Sequence, residues 1–496
     1  MEIHAVDTVI LVIYMLAMVA LGLLIGRKQK DLSGYLLGGR DLPWYSILGS
    51  IVATETSTAT FLSIPGITFA ATGDMRFLQL TIGYILGRVI VAVVLVPPYF
   101  KGQIYTAYEV LEQRFGGVVK SVASVLFLIT RNLGDGLRLF LAGIALEKVL
   151  DISLPVAIII LGIATIAYTF FGGLRAVIWS DCIQLLIYMI GGLMALAILI
   201  QSIPGGWGEV MAFAEQTERM RIFDLRFAGD ENFNLWTEPY TLWAGILGGA
   251  LLTLGTHGTD QMFVQRYLAA RSRRDASKAV IFSGFIVMGQ FILFLIIGIA
   301  LACYYERVVP TTFEKNDEVF ATFVVEQLPV GLVGFTLAAI FAAAMSTLSS
   351  SLHSSATSMV SDLYLPHHQR KGTVIHPDQQ VRISKRFAIL FGVIQIALGI
   401  GASWISDSVI RDALAIAGFT AGIMLGLFCL GVLTRKANQS GALIGIIAGI
   451  IVLSYIKFGT ETAWTWLAVM GSLTTFTIGI FASWLLPANE STYEKS

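Results

Sequence analysis

The chain has 496 residues, 56% of them apolar and 13% charged, whereas a soluble domain carries about 25% charged residues. With a mean hydropathy of +0.76, this excludes a string of soluble domains and indicates an all-α polytopic membrane protein lying in a lipid bilayer. The 33 basic and 33 acidic residues cancel, which argues against a nucleic-acid partner, and Cys182, Cys303 and Cys429 form no CxxC pair that would suggest zinc or a disulfide framework.

Apolar stretches of about 18–25 residues read as membrane spans. In chain order the sequence predicts thirteen: 7–26, 44–70, 77–99, 121–148, 153–171, 179–201, 238–265, 277–304, 328–361, 385–405, 410–434, 440–456 and 463–486. The first has the length of a signal peptide, but no cleavage pattern follows it, and its flank Arg27-Lys28-Gln29-Lys30 reads as a stop. The connections rich in Lys and Arg, including Arg27/Lys28/Lys30, Arg271/Arg273/Arg274 and Arg370/Lys371, fall on one side. By the positive-inside rule the N-terminus is outside and the C-terminus cytoplasmic, in a cell membrane.

Two spans are interrupted. The second reads Ser50-Ile51-Val52-Ala53-Thr54-Glu55-Thr56-Ser57-Thr58-Ala59-Thr60, and the seventh reads Gly255-Thr256-His257-Gly258-Thr259-Asp260-Gln261. Such runs have poor helix propensity and carry hydroxyls that compete for backbone bonds. In a bilayer they are tolerated only where protein or a water-filled cavity satisfies them. Paired interruptions at corresponding positions of two halves point to a transporter built from inverted repeats; the plainer alternative is close helix packing on small residues.

The ninth span contains Met345-Ser346-Thr347-Leu348-Ser349-Ser350-Ser351-Leu352-His353-Ser354. Ser346, Ser349 and Ser350 share one face by their spacing, with Thr347, Ser351 and Ser354 on the adjoining face. Neutral oxygens without clustered carboxylates suit Na+ better than a divalent ion, which normally draws several carboxylates. Asp181, at the start of the sixth span, is either a functional intramembrane acid or a helix N-terminal acid held by the dipole.

The stretch Gly173-Leu174-Arg175-Ala176-Val177-Ile178-Trp179-Ser180-Asp181-Cys182-Ile183-Gln184 resembles the signature of the sodium:solute symporter family, whose members include sodium–sugar, sodium–proline and sodium–sialic acid carriers. Gln265-Arg266-Tyr267, the Ser346–Ser351 ladder, and Gly426-Leu427-Phe428 leading to Thr434-Arg435-Lys436-Ala437-Asn438 resemble it as well. The resemblance implies a leucine-transporter-like fold of two inverted five-helix repeats, at 44–201 and 238–434. Residues 7–26 form an extra first helix, 440–486 two extra last ones, and 487–496 a cytoplasmic tail. It implies a shared sodium site from carbonyls of Ala53, Thr56 and Ala343 and hydroxyls of Ser346 and Thr347. A second sodium site would use Asp181, Ser346, Ser349 and Ser350. It places the solute near Glu55, Ser57, Thr60, Gln79 and Asp260.

The resulting expectation is sodium-coupled symport of a small polar organic solute (sugar, polyol, amino acid or sugar acid) by alternating access, with one or two Na+ per solute and no obligatory protein partner. Two pocket acids, Glu55 and Asp260, favour a cationic amine or a polyol. Asp135 and Arg138, one turn apart, are expected to pair with each other, and Arg131 to sit near the membrane edge. The alternatives are a channel, which needs a continuous polar path, or a sensor, for which the tail beyond Leu486 is short. An enzyme is disfavoured: His4, His257, His353, His367, His368 and His376 form no HExxH, and no GxSxG is present.

Overall fold

A computed structural model describes residues 4–26, 31–150, 152–227, 233–402 and 409–486. The basic flank Arg27/Lys28/Lys30 and the tail 487–496 lie outside the described residues. The described chain is helical, with α1 (Ala5–Gly26), α2 (Trp44–Glu55), α3 (Thr58–Phe69), α4 (Leu78–Ile90), α5 (Gly117–Leu150), α6 (Leu154–Gln201), α7 (Gly249–Thr259), α8 (Gln261–Leu268) and α9 (Arg273–Arg307) in its first part. The rest comprises α10 (Leu332–Ser358), α11 (Pro377–Ala402), α12 (Val409–Leu433), α13 (Gln439–Gly459) and α14 (Leu467–Leu485).

By length and composition, ten helices among the described residues can cross a membrane, or eleven when α2 and α3 count as one bent span. The thirteen expected spans differ from this count in how two stretches are divided. The predicted fifth and sixth spans both lie within α6, whose 48 residues, at about 1.5 Å each, amount to roughly 72 Å of helix, enough for two crossings of a hydrocarbon core of about 30 Å. This element bends at Gly173, whose φ of 57° and ψ of −174° interrupt the helix; a side chain there would be strained, so glycine makes the bend. The predicted seventh span is broken into short helices, α7 and α8, neither long enough by itself.

At the centre lies α10, packed against α1, α2, α5, α6 and α11. Every residue from Thr336 to Ser358 is buried, which explains a helix with hydroxyls all around it: none of its faces meets lipid. Apolar surfaces of α1, α5, α6 and α13 remain exposed, as a bilayer requires. Close approach of helices relies on glycine. A Cβ at Gly255 of α7 would lie 2.4 Å from the Ala421 carbonyl oxygen of α12, so any larger residue would push these two helices apart.

Candidate functional site

The break between α2 and α3 bends the path by 62°. Thr56 (φ −80°, ψ 111°) and Ser57 (φ −108°, ψ 176°) are extended, which frees the carbonyls at the end of α2. Ser57 then caps α3 through a reciprocal capping box with Thr60. α10 faces these free carbonyls. Ser346 Oγ donates to the Ala53 carbonyl at 2.8 Å and to that of Ala343 at 3.1 Å. Thr347 Oγ1 approaches the carbonyls of Thr54 at 3.0 Å, Ala343 at 3.4 Å and Thr56 at 3.5 Å. All five residues expected at the shared sodium site are thus brought together by two hydroxyls and the carbonyls they touch.

The second expected cluster is assembled differently. Asp181 is fully buried, and its Oδ2 accepts from Ser50 at 2.5 Å, Arg266 Nη2 at 3.1 Å, Thr54 at 3.3 Å and Ser350 at 3.4 Å. Asp181 Oδ1 has no hydrogen-bond partner. Arg266, also fully buried, bonds Ser50 at 2.7 Å, Thr54 at 2.6 Å, Ser350, and the Met262 carbonyl. Arg266 thus supplies a countercharge to Asp181 within the fold. Ser349 donates to the Ser346 carbonyl, so no bond joins it to Asp181, and Ser354 likewise bonds back to Ser351. The ladder therefore divides: Ser346 and Thr347 face the break, Ser350 faces Asp181, and Ser351 accepts from Gln395.

A cavity of about 520 Å³ lies beside both breaks, within the range of about 300–1,000 Å³ typical of small-molecule sites. Glu55, Ser57, Thr60 and Asp260 line it as expected, together with Thr347, His257 and the aromatic residues Phe77, Tyr84, Tyr240 and Phe291. Gln79 does not line it. Its amide donates to the carbonyls of Arg76 at 3.2 Å and Tyr240 at 2.9 Å and accepts from the Asp224 amide at 3.0 Å. At the start of α4 the side chain is used to hold the 221–227 segment, not a solute.

Both pocket acids are neutralised by arginines from elsewhere in the chain. Glu55 pairs with the fully buried Arg88, with His257 Nε2 at 3.5 Å. Asp260 has an extended backbone (φ −78°, ψ 126°), caps α8 by accepting from the Met262 amide at 2.8 Å, and pairs with Arg131. Arg131 therefore sits at the cavity, where it also lies 3.7 Å from Asp135, and not at the membrane edge. The expected Asp135–Arg138 pair is present, and Arg138 lines the cavity as well. The argument that two acids favour a cationic amine fails, because their charge is already matched. Arg88 and Arg131 stand 33 and 129 positions from their acids, so spacing gave no signal of either pair. An arginine inside a predicted apolar span was the one available clue.

Two interrupted helices beside a cavity, with converging hydroxyls and carbonyls, define a secondary transporter of the leucine-transporter-like class. The profile of the sodium:solute symporter family matches residues 35–449, and the chain belongs to that family. It is 29% identical over 473 residues to the sodium/sialic acid symporter NanT of Aliivibrio fischeri, covering 94% of this chain and 90% of that protein. It superposes with a TM-score of 0.87 and 28% identity on a Na+-coupled sialic acid symporter, solved in a substrate-bound outward-open state with a novel Na+ site, over 97% and 98% of the two chains. The fold also matches Mhp1, a nucleobase–cation symport-1 family transporter, with a TM-score of 0.56 and 15% identity over 90% and 93% of the chains. The protein is an integral membrane transporter, not an enzyme; it couples Na+ to the symport of a small organic solute.

Proposed function

We propose that the solute is an organic anion of the sugar-acid class, carried with Na+ bound at the α2–α3 break. One observation carries the choice of anion: Arg138 lines the cavity beside its partner Asp135 and keeps part of its guanidinium open, whereas Arg131 is held by Asp260. The Arg138 side chain is 23% exposed toward the cavity. A guanidinium edge of this kind matches a carboxylate in a bidentate way. Ser57, Thr60, Thr253 and Thr256 at the cavity wall offer hydroxyls for a polyhydroxylated body. The names of the relatives, sodium/sialic acid symporters, agree with this chemistry.

On this reading Na+ is held by the hydroxyl oxygens of Ser346 and Thr347, which keep their hydrogens and turn them away, together with the carbonyls of Ala53, Thr56 and Ala343, as unwound backbone does in such transporters. A second Na+ would take the unpartnered Oδ1 of Asp181, with Ser346, Ser349 and Ser350 as its further oxygens, while Arg266 balances the carboxylate when no ion is bound. We place the repeats at 44–201 and 238–434, with the N-terminus outside and the C-terminus cytoplasmic. Because the ion site and the cavity share Thr347, filling one stiffens the wall of the other, which is how the two cargoes move together. The direct test is thermal stabilisation of the purified protein by sialic acid, by the matching neutral sugars and by amines, with and without Na+. Stabilisation by the acid alone, lost in Arg138→Gln, is expected. Equal stabilisation by neutral sugars, or an Arg138→Gln protein that responds as wild type, would overturn the anion assignment.

A further inference from the structure

A second concavity, of about 170 Å³, opens at the other end of the chain's fold, between the α12–α13 connection and the last turns of α14. Its walls are Thr434, Arg435, Lys436, Ala437, Ile480 and Trp484. The connection is rigidly held. Arg114 Nη2 donates to the carbonyls of Thr434 at 3.2 Å and Arg435 at 2.7 Å. Asn438 caps α13 by accepting from the Gly441 amide at 2.9 Å and donates to the Leu486 carbonyl at 2.6 Å, tying the connection to the end of α14.

Arg114 thereby occupies the carbonyls and leaves the side chains of Arg435 and Lys436 as the charged groups of the rim. Both are exposed, and neither has an ion-pair partner among the described residues. The opposite wall is apolar and continues outward. Trp484 is 64% exposed and lies on the same outer face of α14 as Phe481 and Leu473, a face of a membrane-spanning helix. Tryptophan at the end of a span sits at the headgroup level. Basic side chains beside such a helix end draw anionic headgroups.

We propose that this concavity binds the headgroup of an anionic phospholipid between Arg435 and Lys436, with an acyl chain running along the Trp484–Leu473 face of α14. The two charges face a rigid notch, so little ordering remains to oppose binding. The apolar face continuous with the notch distinguishes a lipid from a free anion, since phosphate alone has nothing to lay against Ile480 and Trp484.

The test uses the purified full chain and native mass spectrometry, titrating phosphatidylglycerol or phosphatidylcholine of identical acyl chains, and separately adding inorganic phosphate. Each basic residue near a headgroup contributes about 5-fold in affinity, so Arg435→Gln with Lys436→Gln should weaken phosphatidylglycerol binding by roughly 30-fold and leave phosphatidylcholine unchanged. Arg435→Lys, which keeps the charge, should retain the preference, and Trp484→Ala should weaken both lipids alike. Should the double variant not be recoverable, Lys436→Gln alone should lose about 5-fold. Equal phosphatidylglycerol binding by wild type and the charge-removing variants would overturn the proposal. So would displacement of bound lipid by millimolar inorganic phosphate, which would make the notch a plain anion site.

Discussion

Glu55→Gln isolates a buried charge. Glu55 is bonded to Arg88, whose side chain is fully buried and also bonds through Nη1 to Ser283 Oγ at 2.6 Å; Arg88 Nε has no partner among the described residues. Removing the carboxylate leaves a guanidinium without countercharge, which for buried pairs costs about 3–5 kcal/mol. The Glu55 side chain is 18% exposed to the cavity, so water reaches the gap and the lower end, about 3 kcal/mol, applies. For a chain of this length that corresponds to a fall of roughly 3 °C in melting midpoint. Arg88→Met combined with Glu55→Gln removes both charges and should recover most of the loss, giving a coupling of about 2–3 kcal/mol in a double-mutant cycle. The assay is thermal unfolding of the four proteins in detergent at saturating Na+. Additive losses, or no shift in Glu55→Gln, would refute the pairing as the reason for an acid at this position.

Ser346→Ala removes an inner oxygen from the expected sodium site, where no water can replace it, and should raise the Na+ concentration for half-maximal uptake by about tenfold or more; an unchanged value would move the site elsewhere. Asp181→Asn should lower the Hill coefficient for Na+ toward one and leave partial transport; a wild-type charge-to-solute ratio of one for a neutral solute analogue would exclude a second ion. Outside the membrane, Asp224 accepts from Arg226 Nη2 at 2.6 Å and Arg76 Nη1 at 3.0 Å, and the Arg226 bonds above all hold its carboxyl below the usual carboxylate range. The stability this gives is complete above about pH 4, the unfolded carboxylate value, and is lost as pH falls through the lowered folded value. Hydrogen exchange of residues 221–227 should therefore be flat from pH 8 to 5 once corrected for intrinsic rate and rise only in stronger acid; protection in Asp224→Asn should be low throughout.

The interrupted helices could be read from sequence because a polar run inside an apolar segment has few explanations in a bilayer. The oxygens of Ser346 and Thr347 could be read for the same reason, on a helix buried on every face from Thr336 to Ser358. What spacing did not carry was partnership over long separations: Arg88 with Glu55, Arg131 with Asp260, Arg266 with Asp181. Glu55 and Asp260 looked like uncompensated pocket groups, and Asp181 like an acid open to an ion, because their arginine partners are remote in sequence. Gln79 is a different case. A polar residue at a helix start looks available for a ligand, yet the open amides and carbonyls there claimed it. The boundary between the expected fifth and sixth spans falls at Gly173, whose non-helical backbone divides α6 into two helices.

The central claim is coupling of Na+ to the inward movement of a carboxylate-bearing solute. Proteoliposomes holding the purified protein, loaded without Na+ and diluted into buffer with radiolabelled sialic acid, test it directly. An inward Na+ gradient should drive accumulation above the outside concentration, and choline in place of Na+ should abolish it. Equal accumulation with choline would contradict the account.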